Sequence, residues 1–147
     1  MVISMEKKYV FLPHTADAYF AAYGKTLEEA FENAALAMYE VMTDTSKVAR
    51  DVEIHVEVKG FDEHSLLYNW LEELLFYTDS EQLVFSEFHV ENIEKKDRDY
   101  VLKAVAKGEK FDPSKHESRN QVKAVTYSLM EINKKDSFYE VKVVLDL

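Results

Sequence analysis

The stretch DVEIHVEVKGFDEHSLLYNWLEELLFYTDSE, residues 51–81, carries two different periodicities in succession. Val52, Ile54, Val56 and Val58 alternate with Asp51, Glu53, His55, Glu57 and Lys59, the period-two pattern of a strand with one solvated face. From Asp62, a predicted N-cap, the period changes. Leu66, Leu67, Trp70, Leu71, Leu74 and Leu75 fall on one side of a helix, with Glu72, Glu73 and Asp79 on its solvated edge. Trp70, the only tryptophan, is read as core because leucines surround it, rather than as a stacking platform for bases. A half-exposed strand leading directly into an amphipathic helix points to a mixed α+β domain.

Working outward, Thr26-Leu27-Glu28-Glu29 is a capping box. The Thr26 hydroxyl can accept from the Glu29 amide while the Glu29 side chain reaches back to the cap amide. Leu27, Ala30, Phe31, Ala34, Met38, Val41 and Met42 then give a buried stripe as far as about Thr43. Upstream, residues 8–12 and 18–24 read as paired strands. Downstream, residues 82–92, 100–107, 121–133 and 138–147 read as four more, joined by short charged hairpins at 94–99 and 134–137. The thirteen residues 108–120, with Phe111, Asp112, Pro113, His116 and Arg119, are longer than most strand connections. The expected fold is therefore α+β, two helices packed on an antiparallel-rich sheet in a single compact domain over residues 1–147.

Composition narrows the chemistry. With no cysteine, thiolate zinc sites, iron-sulfur clusters, disulfides and cysteine nucleophiles are excluded. Three glycines leave no phosphate-binding loop, nucleophile elbow or dinucleotide fingerprint. The five histidines, His14, His55, His64, His89 and His116, lack zinc-site spacing and are expected mostly on the surface. Acidic residues outnumber basic ones 28 to 18, a formal net charge of −10, and the arginines are only Arg50, Arg98 and Arg119. A broad basic face for RNA or DNA is not expected, so any service to nucleic-acid metabolism would run through a protein partner. No run of about eighteen apolar residues occurs, which points to a soluble, cytoplasmic protein with no membrane association.

Two places can carry function. Pro13-His14-Thr15-Ala16-Asp17 packs a proline, an imidazole, a hydroxyl and a carboxylate between two strands. Such loops display binding groups, and the same residues are also ordinary turn formers. In the last strand, Val141, Val143 and Leu145 alternate with Lys142, Val144 and Asp146, so Asp146 stands near the chain's last carboxylate. If that strand lies beside the first hairpin, Asp17 joins the group, and hard oxygen donors of this kind suit calcium, magnesium or manganese. A solvated strand end is the other reading. Lys123 and Thr126-Tyr127, on a late strand, decide nothing alone.

Six segments in order, FLPHTAD (11–17), YGKTLEEAFENAALAM (23–38), LYNWLEELLF (67–76), GEKFDPSKHE (108–117), VKAVTY (122–127) and VVLDL (143–147), resemble the archease family. Ser128 stands where that family often has His, so no role of that imidazole carries over. The resemblance implies a non-catalytic accessory of the RtcB-type tRNA-splicing RNA ligase. Such a protein promotes guanylylation of the ligase and its multiple turnover. It also implies a divalent-metal site, reported for calcium, at the aspartate of the HTAD loop and the chain's end: here Asp17, Asp146 and Leu147, the last through main-chain or terminal oxygens. His14, Lys123 and His116 are the candidates for contact with the ligase. A general chaperone, or helper of RNA-modification enzymes, is the alternative the family suggests.

Overall fold

Both helices start where their caps predict. In the computed structural model, which describes residues 7–14 and 17–147, the Thr26 hydroxyl accepts from the Glu29 amide at 3.1 Å and opens α1 (Leu27–Met42). The Glu29 carboxylate accepts from the Lys25 amide at 2.8 Å, one residue before the expected Thr26. Asp62 and Ser65 form a reciprocal box, with Ser65 N–H donating to the Asp62 carboxylate at 2.7 Å and Asp62 N–H to the Ser65 hydroxyl at 3.2 Å. That box opens α2 (Glu63–Glu81).

Seven strands complete the domain: β1 (Tyr9–Leu12), β2 (Ala18–Gly24), β3 (Val52–Gly60), β4 (Leu83–Lys96), β5 (Asp99–Lys110), β6 (Ala124–Lys134) and β7 (Tyr139–Asp146), with one 3-10 turn at Thr45–Lys47. They form two antiparallel sheets, β1-β2-β7-β6 and β3-β5-β4, where the alternation of side chains suggested one. Sequence periodicity reports which face of a strand is buried, not which strands share a ladder. Helix α1 packs on β2 and β4, and α2 on β3 and β6, so each helix spans from one sheet to the other. Phe20, Phe31, Tyr39, Trp70, Phe85, Leu102 and Leu145 are fully buried between these layers. Trp70 is in the core as expected, with its indole N–H donating to the Phe31 carbonyl at 3.0 Å and so tying α2 to α1.

The hairpin of β4 and β5 is longer than expected, and that of β6 and β7 shorter. Strand β4 continues to Lys96 and β5 starts at Asp99, and the turn between them places Asp97 at φ 56°, a left-handed conformation that Asp tolerates. Strand β5 also runs on to Lys110, which moves the long loop from 108–120 to 111–123.

Both helix C-termini and several strand amides find carboxylate or loop partners. The Arg119 amide donates to the Met42 carbonyl and the Asn120 amide to the Val41 carbonyl, each at 3.0 Å. The Arg119 guanidinium reaches the Glu40 carbonyl at 2.8 Å, the Glu40 carboxylate at 3.1 Å, and Glu117. The loop thus caps the end of α1, which has no glycine to turn the chain back on itself. Glu72, expected on the solvated edge of α2, accepts from the Val125 amide of β6 at 2.7 Å, and Glu32 of α1 accepts from the Val90 amide of β4 at 2.8 Å.

Candidate metal centre

Strand pairing brings β2 and the last strand together. Antiparallel pairing of β2 with β7 sets Ala18 opposite Leu145. The ladder ends there, with Asp17 one residue before Ala18 and Asp146 one residue after Leu145, so both carboxylates belong to the same end of the β2–β7 pair although 128 residues separate them along the chain. On its other side Asp146 pairs with Ala124 of β6, and its carbonyl accepts from the Lys123 amide at 2.8 Å. Asp17, Asp146, Leu147 and Lys123 therefore gather at one end of the four-stranded sheet.

His14 and Asp17 flank Thr15 and Ala16, which lie outside the described residues. His14 Nδ1 stands 3.8 Å from Asp17 Oδ2, and its ring meets Tyr19 edge-on with centroids 5.8 Å apart. The imidazole is thereby oriented toward the carboxylate. Asp17 is about one-third exposed and Asp146 is exposed, so both keep oxygens open to solvent or to a partner. Leu147 is half-buried and packs against the core, which fixes the main chain beside Asp146. Among the described residues, no group of three or more His, Asp or Glu side chains is assembled to hold a metal. What this sheet end offers is two carboxylates plus main-chain oxygen. Like charges at one sheet end repel, and a hard divalent cation bound there would relieve that repulsion. The donor chemistry fits calcium, magnesium or manganese and does not suit a soft metal.

His116 is placed otherwise than a ligase contact requires. Its side chain is fully buried. The Asp112 amide donates to its Nδ1 at 2.8 Å, so the ring proton sits on Nε2, which donates to Glu109 Oε2 at 2.9 Å. The imidazole is spent inside the loop and offers a partner no surface. His14, His55, His64 and His89 are exposed as expected, and so is Lys123.

Glu109 is a residue that the sequence did not single out. Its Oε2 also accepts from Lys115 Nζ at 2.7 Å and from the Ala49 amide at 2.6 Å. The hydrogen bond from Lys115, then that from Ala49, hold its pKa down at about 2 against an ordinary 4.5. A carboxyl with a depressed folded-state pKa stabilises the fold above its unfolded value and loses that contribution as pH falls from about 4.5 toward 2. We expect acid titration of Glu109→Gln, followed by circular dichroism and urea melts, to show a shallower loss of stability in that window than the wild type shows. An unchanged slope would contradict this account of the loop.

The fold is that of a small α+β domain with two acidic side chains, Asp17 and Asp146, at one end of its four-stranded sheet. Residues 9–147 match the archease protein family. "Protein archease" of Sulfurisphaera tokodaii is 50% identical over 141 residues, covering 96% of this chain and 99% of the relative. "Protein archease" of Pyrococcus furiosus is 53% identical over 121 residues, covering 82% and 84%. Among solved structures, protein 1598 of Methanobacterium thermoautotrophicum matches with a TM-score of 0.84 at 51% identity, over 95% of this chain and 99% of that one. An archease from Thermotoga maritima, described as a possible chaperone, shares the fold alone at 20% identity, with a TM-score of 0.58 over 92% and 94% of the two chains. The chain belongs to the archease family. Among the described residues, no helix is long and apolar enough to cross a membrane.

Proposed function

We propose that this chain is a non-catalytic activator of an RtcB-type tRNA-splicing RNA ligase, promoting ligase guanylylation and repeated turnover through a divalent-metal site at the end of its four-stranded sheet. The observation that supports the reading is the pairing of β2 with β7, which brings Asp17 and Asp146 to one sheet end in a member of this family. Asp17 and Asp146 would hold the ion through carboxylate oxygens and Leu147 through its main-chain oxygen, with calcium the first candidate and magnesium or manganese next. Such an ion neutralises phosphate charge and orients oxygens. On this chain, Asp146 is held in place by pairing with Ala124 and by the Lys123 amide, and Asp17 is flanked by His14. That geometry lets the exposed carboxylates approach a basic, phosphate-binding cleft while β2 and β7 keep them aligned. Lys123, exposed next to Asp146, would contact the partner or a phosphate.

Calorimetric titration of calcium and of manganese into the purified chain tests the site directly. Wild type is expected to bind one ion, and Asp17→Ala and Asp146→Ala each to weaken binding by at least about tenfold while keeping the wild-type melting temperature. In multiple-turnover ligation with purified ligase, both variants should then fail to stimulate. Normal stimulation by both would sink the metal-site account.

The family relative described as a possible chaperone supports a second reading, and Phe61, Phe76 and Leu129 expose more than half of their surface in keeping with it. A general chaperone would suppress aggregation of unrelated proteins, and Asp17→Ala would leave that suppression intact.

A further inference from the structure

Strand β6 is interrupted by a wide bulge. Its pairing with β7 runs regularly to Thr126 opposite Val144 and resumes at Glu131 opposite Lys142. Four residues, Tyr127, Ser128, Leu129 and Met130, thus stand against Val143 alone. Met130 turns back into the core, while Tyr127 and Leu129 are 52% and 54% exposed. Leu129 has φ 56°, the left-handed region that a bulky side chain rarely adopts. The strained backbone therefore serves to hold a leucine outward, where the core gains nothing from it.

The bulge is braced from below. Tyr127 stacks on Tyr68 of α2, with ring centroids 4.5 Å apart and planes within 9° of parallel. The Glu72 carboxylate holds the Val125 amide just before it, and the Thr126 hydroxyl donates to the Val144 carbonyl at 2.9 Å. Such rigid aromatic and aliphatic side chains are the kind that anchor interfaces, because little freedom is left to lose on binding. The surroundings are acidic. Partial burial, then Tyr68 and the negative charge of Asp62, raise the Tyr127 hydroxyl above its ordinary pKa. Glu131 follows the bulge directly and is about half exposed, with Lys142 at 4.0 Å as its counter-charge. The position also matters. Val143 lies three residues before Asp146, so the bulge sits about 10 Å along the strand from the proposed metal site, on the outer strand of the same sheet.

We propose that residues 127–129, stacked on Tyr68, form the apolar anchor with which this chain docks on the ligase, Leu129 and Tyr127 entering an apolar pocket rimmed by basic side chains. The inference rests on the ligase reading above and adds where the partner is gripped. The apolar tip supplies hold and the acidic rim supplies orientation, while the sheet end is brought to the partner's phosphate-binding cleft by proximity alone.

Leu129→Asn and Leu129→Gly both suit the left-handed backbone while removing the apolar tip. With dye-labelled chain titrated by purified ligase, we expect each variant to bind at least about tenfold more weakly than wild type, with a melting temperature equal to or above that of wild type. Wild-type affinity should also fall as salt is raised from about 0.05 to about 0.5 M. Calcium binding by both variants should be unchanged, which separates the anchor from the metal site. Wild-type affinity in both variants would overturn the anchor and leave the ligase reading standing. Absence of binding by the wild-type chain would overturn both.

Discussion

Gly108→Ala is expected to cost about 4 kcal/mol or more of folding stability, placing it in the exceptional tail for a single methyl group. Gly108 pairs with Phe85 of β4 on one side and Val52 of β3 on the other, at the point where the β4 register shifts between Phe85 and Glu87. A Cβ built there lies 1.8 Å from the Val84 carbonyl oxygen, 2.7 Å from the Phe85 Cα and 2.8 Å from the Val84 carbonyl carbon. All three are main-chain atoms of a ladder, so no flexible side chain can swing aside. The alanine must break pairing on the central strand of the three-stranded sheet or push β4 away from α1. In urea denaturation the midpoint should drop by about 2 M, taking a slope near 2 kcal/mol per molar. A loss below about 1 kcal/mol would mean that β4 and β5 do not approach as closely as described.

Trp70→Ala follows, with an expected loss of about 3–5 kcal/mol. The indole is fully buried, meets Phe88 edge-on with centroids 6.3 Å apart, and donates to the Phe31 carbonyl of α1. Because α2 carries it from beneath β3 and β6 to α1, the cavity opens between all three layers of the core. Trp70→Phe separates the contributions. It keeps much of the ring volume and gives up the hydrogen bond, worth about 1 kcal/mol. Since removing the only tryptophan abolishes its fluorescence, unfolding is followed by far-ultraviolet circular dichroism. Equal losses for the alanine and phenylalanine variants would contradict a cavity-dominated effect.

Local signals carried the elements well. Thr26 and Asp62 cap the two helices as their spacing indicates, and the alternation over Val52–Gly60 is a strand with His55 on its wet face. What local signals cannot carry is pairing. The division into two sheets, the bulge opposite Val143 and the left-handed Leu129 depend on how strands pair, which side-chain alternation within one strand does not report. The same holds for carboxylates. Glu72 looks like a solvated helix residue by its periodicity, yet it satisfies the Val125 amide on the edge strand β6. Glu109 and His116 look like surface groups in a charged loop, and they are the loop's internal fastening.

The candidate site was legible for a different reason. Asp17 and Asp146 are unremarkable alone, and only the supposition that the last strand lies beside the first hairpin joined them. The pairing of β2 with β7 supplies that adjacency. His14 stands beside Asp17 as the loop's composition suggested, whereas His116 is withdrawn from any partner. The exposed bulge left only a faint trace in sequence, a Tyr-Ser-Leu run that interrupts strict alternation at 127–129.

We propose that Asp17 and Asp146, at one sheet end, let this chain promote guanylylation of an RtcB-type ligase. The most direct measurement is the rate at which purified ligase becomes guanylylated from labelled GTP with wild-type chain, Asp17→Ala, Asp146→Ala or no added chain. The account predicts acceleration by the wild type, and rates indistinguishable from ligase alone with either folded variant. Acceleration by both variants equal to that of the wild type would contradict it.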